Sequence, residues 1–541
     1  MPRLLLILLL LGFAPAARRP NILLVITDDQ GYGDLGLYGN KDIRTPHLDQ
    51  LGRQSCRIDP FLVCPVCSPT RSGLLTGRYN YRTGIVDTFK GRSMMHPDEV
   101  TLAEMLSEHG YRTGIFGKWH LGDNYPLRPQ DQGFQECLTI RGGGLGQDSD
   151  PPGGDHYTDP TVYHNGQALK SKGYCTDVFT DAALQFIEAD AEKPFFAYVA
   201  FNAPHTPLEA PEGYLQPYLD AKLPEPTARL YAMVTNIDDN VGRLLKKLDD
   251  LKIADDTIVI FMSDNGPEKV RYNAGLRGLK GTVYEGGLRV PFFIRWPKGL
   301  KEVRTVNAPF AHIDVTPTLL EAAAIERPIL PWMDGISFLP WLKESNPALD
   351  RTIFFQWHRG DVPEKFRSAT ARGTRWKAIW GPPGREPELY DLQEDPGEQM
   401  DVARQHPDIL ERLTKEYSKW FDNVERIRHF APPRIVLGTP HEDPAILTRQ
   451  NAREAGALVE WLVKLPDETK FDVTLRFKEP REKTLVTYKA GAATWEVMVD
   501  ANATSLTFPA VPHAAGEASI SATVSAAKRY SADYVELKKV P

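Results

Sequence analysis

The sequence predicts an α/β domain, with a mainly parallel sheet covered by helices, followed by a β-rich C-terminal region. Continuous apolar runs at 21–27, 195–201 and 258–262 are typical of strands that are buried on both faces. Between them, 176–191 and 227–251 carry apolar residues at helical spacing. Strands that alternate with helices favour a parallel sheet, in which ligands bind beyond the carboxyl ends of the strands.

The last hundred or so residues follow a different pattern, in which apolar and polar residues alternate. The segment 471–477 shows this alternation, and similar segments follow it. A period of two, with turn residues between the segments, predicts antiparallel strands in a sandwich-like unit. The Pro432-Pro433 pair marks the linker that leads into this region.

Composition limits the class of protein. The chain has 541 residues, of which 42% are hydrophobic and 25% charged, so it is neither disordered, nor collagen-like, nor a coiled coil. The 64 Lys and Arg against 71 Asp and Glu give a net charge of −7, which disfavours nucleic-acid binding but leaves room for a local cationic pocket. Five cysteines exclude a disulfide scaffold and leave at least one thiol without an intramolecular partner.

The N-terminus has the three parts of a secretory signal peptide over 1–17. Arg3 precedes an apolar run at 4–11, and Ala14-Pro15-Ala16 follows as a small-residue cleavage site. The run is too short to cross a bilayer, and the sequence has no later stretch of about 20 apolar residues. We therefore expect a secreted or periplasmic protein without a membrane span, whose mature chain begins near Arg18.

Two acidic clusters directly follow predicted strands. Asp28-Asp29 comes after the first strand, and Asp264-Asn265 follows the strand at 258–262. Taken singly, such clusters are most often solvated turns or helix starts. Together, at the carboxyl ends of two strands, they predict an oxygen-rich site for Ca²⁺ or Mg²⁺.

Cys64 and Cys67 form a C-x-x-C pair, which occurs in zinc sites and in redox proteins. The sequence has no second C-x-x-C to complete a zinc site, and no convincing thioredoxin-like strand precedes Cys64. The longer segment CSPTRSGLLTGR at 67–78 resembles the first signature of the sulfatase family. The resemblance implies that Cys67 is oxidised to formylglycine before the chain folds.

A second segment, GYRTGIFGKWHLG at 110–122, is similar to the second sulfatase signature and is complete. Further matches follow in the family's order, with PHTP at 204–207 and GLKG at 278–281. The resemblance covers about 20–428 and implies an alkaline-phosphatase-like fold with a small C-terminal α+β subdomain. The expected boundaries are a signal peptide at 1–17, a catalytic α/β domain at 18–345, a C-terminal subdomain at 346–430 and a β-rich accessory domain at 431–541.

The resemblance also implies a metal site and a maturation step. The usual ion in the family is calcium and sometimes magnesium, and both are hard cations that prefer oxygen ligands. Conversion of the cysteine implies a formylglycine-generating or an anaerobic maturation enzyme as a partner. The implied ligands are Asp28, Asp29, Asp264, Asn265 and the converted Cys67.

Roles for the surrounding side chains follow from the same resemblance. One hydroxyl of a formylglycine hydrate attacks sulfur, and deprotonation of the other then expels sulfate, so that one difficult step becomes two easier ones. The resemblance implies that Asp264 accepts the first proton and His120 the second. It further implies that His205, with Lys280, donates a proton to the leaving alcohol. In the same mechanism Lys118 and Lys280 would bind the sulfate oxygens, and Arg71 would brace the converted residue.

The substrate class is predicted from weaker features. Secretion, ten Trp, twenty Tyr and a β-rich appendage are consistent with a sulfated polysaccharide or oligosaccharide. A Gly-rich insertion at 141–157 follows the second signature, and long loops of this kind often shape binding sites. We therefore predict substrate contacts from Arg141 and His156.

Other functions fit the same residues. The nearest alternative function is that of a phosphomonoester or phosphonate-ester hydrolase on the same scaffold, because sulfate and phosphate esters are alike in shape. A catalytically silent carbohydrate-binding protein would keep Cys67 unconverted, and a redox protein would use Cys64 with Cys67. After conversion four cysteines remain and could pair, although the sequence does not show that they do: Cys56, Cys64, Cys137 and Cys175.

Overall fold

A computed structural model describes residues 19–150, 154–190, 192–325, 333–343, 348–456, 458–525 and 529–540. The predicted signal peptide at 1–17 lies outside the described residues. Within the described ranges, no helix combines the length and the apolar composition needed to cross a bilayer.

The first part of the chain contains thirteen strands and ten helices within these ranges. The strands are β1 (Asn21–Thr27), β2 (Cys56–Ile58), β3 (Phe61–Leu62), β4 (Arg112–Lys118), β5 (Glu136–Ile140), β6 (Thr161–His164), β7 (Gln167–Lys170), β8 (Phe195–Ala200), β9 (Thr257–Ser263), β10 (Arg289–Val290), β11 (Phe292–Arg295), β12 (Thr305–Val306) and β13 (Phe310–Ala311). The helices are α1 (Pro46–Gln54), α2 (Cys67–Thr76), α3 (Asn80–Thr83), α4 (Leu102–Ser107), α5 (Cys175–Glu188), α6 (Glu212–Asp220), α7 (Glu225–Asp250), α8 (Glu285–Leu288), α9 (Val315–Ala322) and α10 (Leu339–Lys343).

Ten of these strands form one sheet in the order β12-β2-β11-β9-β1-β8-β4-β5-β6-β7. The strands β9, β1, β8, β4 and β5 run parallel, whereas β11 and the edge strands β6 and β7 pair antiparallel with their neighbours. Successive residues of β1 enter two different apolar cores: Ile22 and Leu24 belong to one, and Leu23 and Val25 to the other. Burial on both faces explains why this strand is apolar throughout, and the predicted α/β class is confirmed.

The middle part of the chain forms a four-stranded antiparallel sheet in the order β14-β15-β16-β17, on which one long helix packs. Its elements are β14 (Ile353–Gln356), β15 (Ala369–Arg372), β16 (Trp376–Trp380), β17 (Glu388–Asp391) and α11 (Pro407–Glu425). The boundary predicted at 345/346 stays a prediction.

The C-terminal part is β-rich, as predicted. Its strands are β18 (Ile435–Val436), β19 (Ala445–Thr448), β20 (Arg453–Ala455), β21 (Leu458–Leu465), β22 (Thr469–Arg476), β23 (Thr484–Ala490), β24 (Ala493–Val499), β25 (Ser505–His513), β26 (Gly516–Ser525), β27 (Arg529–Ser531) and β28 (Tyr534–Lys539). They form a seven-stranded and a four-stranded sheet that share one apolar core. We call this part, 431–540, the C-terminal β unit. Met94 and Leu127 of the preceding α/β part pack into the same core, so the β unit is docked on that part.

A buried ion cluster joins the middle part to the α/β part. Lys377 Nζ of β16 lies 3.0 Å from Glu285 Oε1 and 2.8 Å from Glu398 Oε1, and all three side chains are at most 2% exposed. Burial raises the pKa of the Glu285 carboxyl, but Lys377 and Arg372 outweigh it and lower that pKa to about 2. Lys377 is therefore shared by two buried carboxylates, and Arg372 Nε lies 3.6 Å from one of them, Glu285.

Replacement of Lys377 by methionine is expected to lower the free energy of unfolding by about 3–5 kcal/mol, because it removes the cation paired with the buried Glu398 and leaves the buried Glu285 with only the more distant Arg372. Chemical denaturation followed by circular dichroism measures the change. Lys365, which is paired with Asp422 at the surface of the same part, offers the control: Lys365→Met is expected to cost less than about 1 kcal/mol. Similar losses for both variants would contradict the prediction.

Candidate active site

Four neighbouring parallel strands bring the predicted site residues to one edge of the sheet. Asp28-Asp29 follows β1, Asp264-Asn265 follows β9, and Lys118 is the last residue of β4. His205 follows β8, which lies between β1 and β4. The carboxyl ends of parallel strands meet at the same edge, which is where α/β sheets bind ligands.

Helix α2 positions Cys67 and Arg71 against this edge. Every residue of α2 is buried, and Cys67 is its first residue. The Arg71 guanidinium donates from Nε and Nη2 to Asp264 Oδ2 at 2.9 and 2.8 Å, and from Nη1 to the carbonyl of Lys118 at 2.9 Å. Arg71 therefore ties α2 to the ends of β9 and β4.

The acidic residues form a compact cluster of oxygens. Single ligand atoms of Asp28, Asp264 and Cys67 all lie within 4.8 Å of one another. Asp28 Oδ1 and Asn265 Oδ1 are buried acceptors without a hydrogen-bond partner among the described residues. Such atoms cost free energy unless a donor or a cation reaches them, so the residues present fit a hard divalent cation.

Lysines lie against the same carboxylates. Lys118 Nζ is 2.5 Å from Asp28 Oδ2, and both side chains are fully buried. Lys280 Nζ lies 2.6 and 2.8 Å from the two carboxylate oxygens of Asp29. Burial by itself raises the pKa of Asp28. The nearby cations, among which Lys118 has the largest effect, outweigh burial and hold that pKa well below its usual range. For Asp264, burial and the Asp28 charge raise the pKa to about 7 against the opposing effect of Arg71.

Cys67 faces a histidine whose tautomer the structure indicates. Cys67 Sγ lies 3.4 Å from His120 Nδ1, while His120 Nε2 lies 2.7 Å from the carbonyl of Thr88. Because a carbonyl only accepts, Nε2 carries the proton and donates to Thr88, which leaves the Nδ1 lone pair facing residue 67. Burial raises the pKa of the Cys67 thiol and lowers that of His120.

His205 lies near Asp29 of the acidic cluster. Its Nε2 is 3.9 Å from Asp29 Oδ2, and its Nδ1 is 2.6 Å from the carbonyl of Thr206. The Thr206 carbonyl fixes the proton on Nδ1, so Nε2 is the nitrogen that is free to exchange a proton with a ligand.

A cavity of about 640 Å³ opens above these groups. Its wall includes the predicted site residues Cys67, His120, His205 and Lys280, whereas Lys118 and Arg71 are fully buried and do not line it. Side chains that the sequence did not single out complete the wall, and among them are Phe89, Gln147, Glu268, Trp357, Arg359 and Gln450.

Gln450 is the most informative of these, because it comes from the C-terminal β unit. It is only 3% exposed, and its amide Nε2 donates to the Thr88 carbonyl at 2.8 Å and to Ser93 Oγ at 3.1 Å. The same Nε2 lies 3.2 Å from His120 Nε2. Gln450 and His120 therefore both donate to the Thr88 carbonyl. By fixing the position of this carbonyl, Gln450 helps to orient the His120 ring.

Arg141 and His156 do not line this cavity. Arg141 lies over the ring of Tyr163 and donates to the carbonyl of Ile446, so its guanidinium is used in docking the C-terminal β unit. His156 is exposed and pairs with Glu209 at 3.1 Å. The loop that carries both residues reaches the cavity through Gly143, Gln147 and Asp148 instead, and the substrate contacts assigned to Arg141 and His156 stay predictions.

The cysteines that the sequence left open are all free thiols in buried positions. Cys64 Sγ lies 3.6 Å from His312 Nε2, and Cys175 Sγ lies 3.4 Å from Asn202 Oδ1.

Comparison with known proteins finds matches to two family models and to several similar proteins. A family model described as Sulfatase matches 20–325, and one described as N-sulphoglucosamine sulphohydrolase, C-terminal, matches 279–423. Human Arylsulfatase A is 31% identical over 510 residues, which cover 82% of this chain and 95% of that protein. N-acetylgalactosamine-6-sulfatase of Canis lupus familiaris is 31% identical over 464 residues, covering 75% of this chain and 86% of that protein.

A solved structure, that of Ps i-CgsB in complex with k-i-k-neocarrahexaose, superposes with a TM-score of 0.69 at 30% sequence identity. The match covers 76% of this chain and 94% of that chain. Both family models end before the C-terminal β unit begins. The chain belongs to the sulfatase family, has the alkaline-phosphatase-like fold and is a sulfuric ester hydrolase.

Proposed function

We propose that this protein hydrolyses sulfate esters of carbohydrates outside the cytoplasm, with a formylglycine made from Cys67 and one divalent cation. The observation that carries the proposal is the position of Cys67. It lies at the start of a buried helix, 3.4 Å from His120 Nδ1, within a cluster of carboxylates, and it lines the cavity. A maturation enzyme that oxidises Cys67 is the partner that this function requires.

The cation would be held by the side chains that the sequence nominated. Asp28 and Asn265 offer buried oxygens that lack donors, and Asp29, Asp264 and the converted residue 67 adjoin them. A bound Ca²⁺ or Mg²⁺ offsets the repulsion between an anionic nucleophile and the sulfate and lowers the pKa of a hydroxyl beside it. The oxygen-rich set favours these ions over zinc.

The chain's own residues would bind the sulfate and move protons. A formylglycine hydrate supplies one hydroxyl for attack on sulfur and a second for the release of sulfate. His120, with its Nδ1 lone pair facing residue 67, is suited to accept the proton of the second hydroxyl. Asp264 accepts the first proton, and Lys280 in the cavity wall stabilises the sulfate oxygens. Lys118, which is buried against Asp28 and does not line the cavity, adds positive charge beside the site.

His205 would serve as the donor to the leaving alcohol. We expect His205→Ala to lower the turnover of alkyl and sugar sulfates about 10²- to 10⁴-fold, because a poor leaving group needs the proton. Nitrophenyl sulfate, whose leaving group is good, should lose much less. Steady-state rates on both substrates give the comparison, with the exposed His164→Ala as control. An equal loss on the two substrates would show that His205 only binds substrate.

Gln450 would act by positioning His120. We expect Gln450→Ala to lower kcat about 10- to 100-fold with little change in KM, since a displaced base costs rate and not binding. Gln450→Glu should fail as well, because a carboxylate has no N–H for the Thr88 carbonyl. Asn451, buried in the same turn and bonded to Asn124, provides the control. A kcat for Gln450→Ala that matches that of Asn451→Ala would exclude a positioning role.

A sulfated polysaccharide or oligosaccharide is the substrate class that we favour. The cavity combines the cations Lys280 and Arg359 with the aromatic rings of Phe89 and Trp357, which suits an anionic group on a sugar ring. Two similar proteins point the same way, one solved with neocarrahexaose and one named for N-acetylgalactosamine-6-sulfate. The N-terminal signal pattern at 1–17 supports action outside the cytoplasm.

A substrate comparison tests the function directly. The purified, matured protein should hydrolyse nitrophenyl sulfate with a kcat/KM well above that for nitrophenyl phosphate. The reverse order would favour the phosphomonoester or phosphonate-ester hydrolase. Absence of both activities, with Cys67 unconverted in protein from its natural host, would favour the silent carbohydrate-binding protein.

A further inference from the structure

A second cavity, of about 380 Å³, lies beside the first, between the loop after β5 and the C-terminal β unit. Gln147 and Asp148 line both cavities, so the two share a wall. Its volume falls within the range of about 300–1,000 Å³ that is usual for small-molecule sites. The two cavities therefore adjoin one another at these two residues.

One short turn of the C-terminal β unit contacts both cavities. The turn Arg449–Asn451 presents Gln450 to the first cavity and Arg449 to the second. Its place is fixed by the bonds of Gln450 to Thr88 and Ser93. The β unit is thus built into the wall of the substrate region and is not only an appendage.

The charges around the two cavities differ. The second is lined by two cations and three carboxylates, and Arg449 Nη1 lies 3.9 Å from Asp533 Oδ1. An additional anionic group would meet excess negative charge there, whereas uncharged hydroxyls would meet both donors and acceptors. The charged residues are Arg449, Arg476, Asp148, Asp150 and Asp533.

Two guanidinium groups belong to this wall. Arg449 and Arg476 both line the cavity, while the Nε atom of each is buried away from it. Tyr534, which faces Arg476 across the β22–β28 pair, adds a half-buried ring. Fixed donors, carboxylates and an aromatic ring together suit a sugar ring with its neighbouring hydroxyls.

Resting on the proposed sulfatase function, we propose that the second cavity binds an uncharged sugar unit adjacent to the sulfated unit of a chain-like substrate. The C-terminal β unit then selects substrates of two or more units, and disfavours those that carry a sulfate on the neighbouring unit.

Kinetics on a substrate ladder test this proposal. The probes are nitrophenyl sulfate and sulfated galactose oligosaccharides of one, two and four units. The tetrasaccharide is used in two forms, in which the unit next to the reacting sulfated unit is either uncharged or itself sulfated. We expect kcat/KM to rise about tenfold or more from one unit to four, corresponding to about 1.4 kcal/mol. The form with a sulfated neighbour should lose that gain.

Arg476→Ala supplies the variant, and the exposed Arg481→Ala of the same β unit supplies the control. Arg476→Ala should lower the ratio of kcat/KM for the tetrasaccharide to that for nitrophenyl sulfate about tenfold, whereas Arg481→Ala should leave the ratio unchanged. Hydrolysis of nitrophenyl sulfate without any gain from chain length, or a gain that survives Arg476→Ala, would overturn the proposal. Failure to hydrolyse nitrophenyl sulfate at all would overturn the proposed function instead.

Discussion

Replacement of Cys67 by alanine is expected to lower kcat on nitrophenyl sulfate about 10⁴-fold or more, because it removes the group that attacks sulfur. His120 and Lys280, which line the same cavity, do not replace it, because they serve as a base and a cation. Folding should be retained, since alanine is a good helix former at the start of α2.

Three measurements make this prediction specific. Thermal denaturation checks that the variant folds, and stopped assays over hours set the limit on residual rate. Cys64→Ala is the matched control, because Cys64 is also buried three residues away but does not line the cavity. A residual rate within about tenfold of the parent protein would remove Cys67 from the reaction.

Removal of divalent cations is expected to have the second largest effect. With a chelator followed by desalting, activity should fall about 10³-fold or more, because three buried carboxylates then face an anionic substrate without the ion. The same treatment should lower the melting temperature, since a ligand present at a hundred times its Kd contributes about 2.7 kcal/mol of stability. Added Ca²⁺ or Mg²⁺ should restore both properties.

Variants locate the ion. Asn265→Ala removes one of the two buried oxygens that lack donors, and it should raise the cation concentration needed for recovery. Asp239→Ala, in a separate group formed with His47 and Asp238, should leave recovery unchanged. Full activity in protein shown to be metal-free by elemental analysis would contradict the cation site.

The sequence predicted the parts of the site that follow from regular structure. Asp28-Asp29 and Asp264-Asn265 lie where two apolar strands end, and parallel neighbours must bring their carboxyl ends to one edge. The position of Cys67 at the start of α2 could not be derived from periodicity, because 67–76 is buried on all sides and its polar residues do not mark an exposed face. It was found through the sulfatase signature.

Other wall residues could not be predicted from the sequence. Gln450 reaches His120 across 330 positions, and that contact depends on how the C-terminal β unit docks on the α/β part. Trp357 and Arg359 likewise come from the middle part of the chain. For Arg141 the sequence placed the loop near the site but could not show that the guanidinium packs on Tyr163. Long-range docking leaves no local periodic signal.

Mass spectrometry of the peptide that carries Cys67 tests most directly whether this residue is converted to formylglycine. The protein should be purified from its natural host, or from a host that has the maturation enzyme, and first shown to hydrolyse nitrophenyl sulfate. We expect an aldehyde in place of the thiol at residue 67. An intact thiol at Cys67 throughout such an active preparation would contradict it.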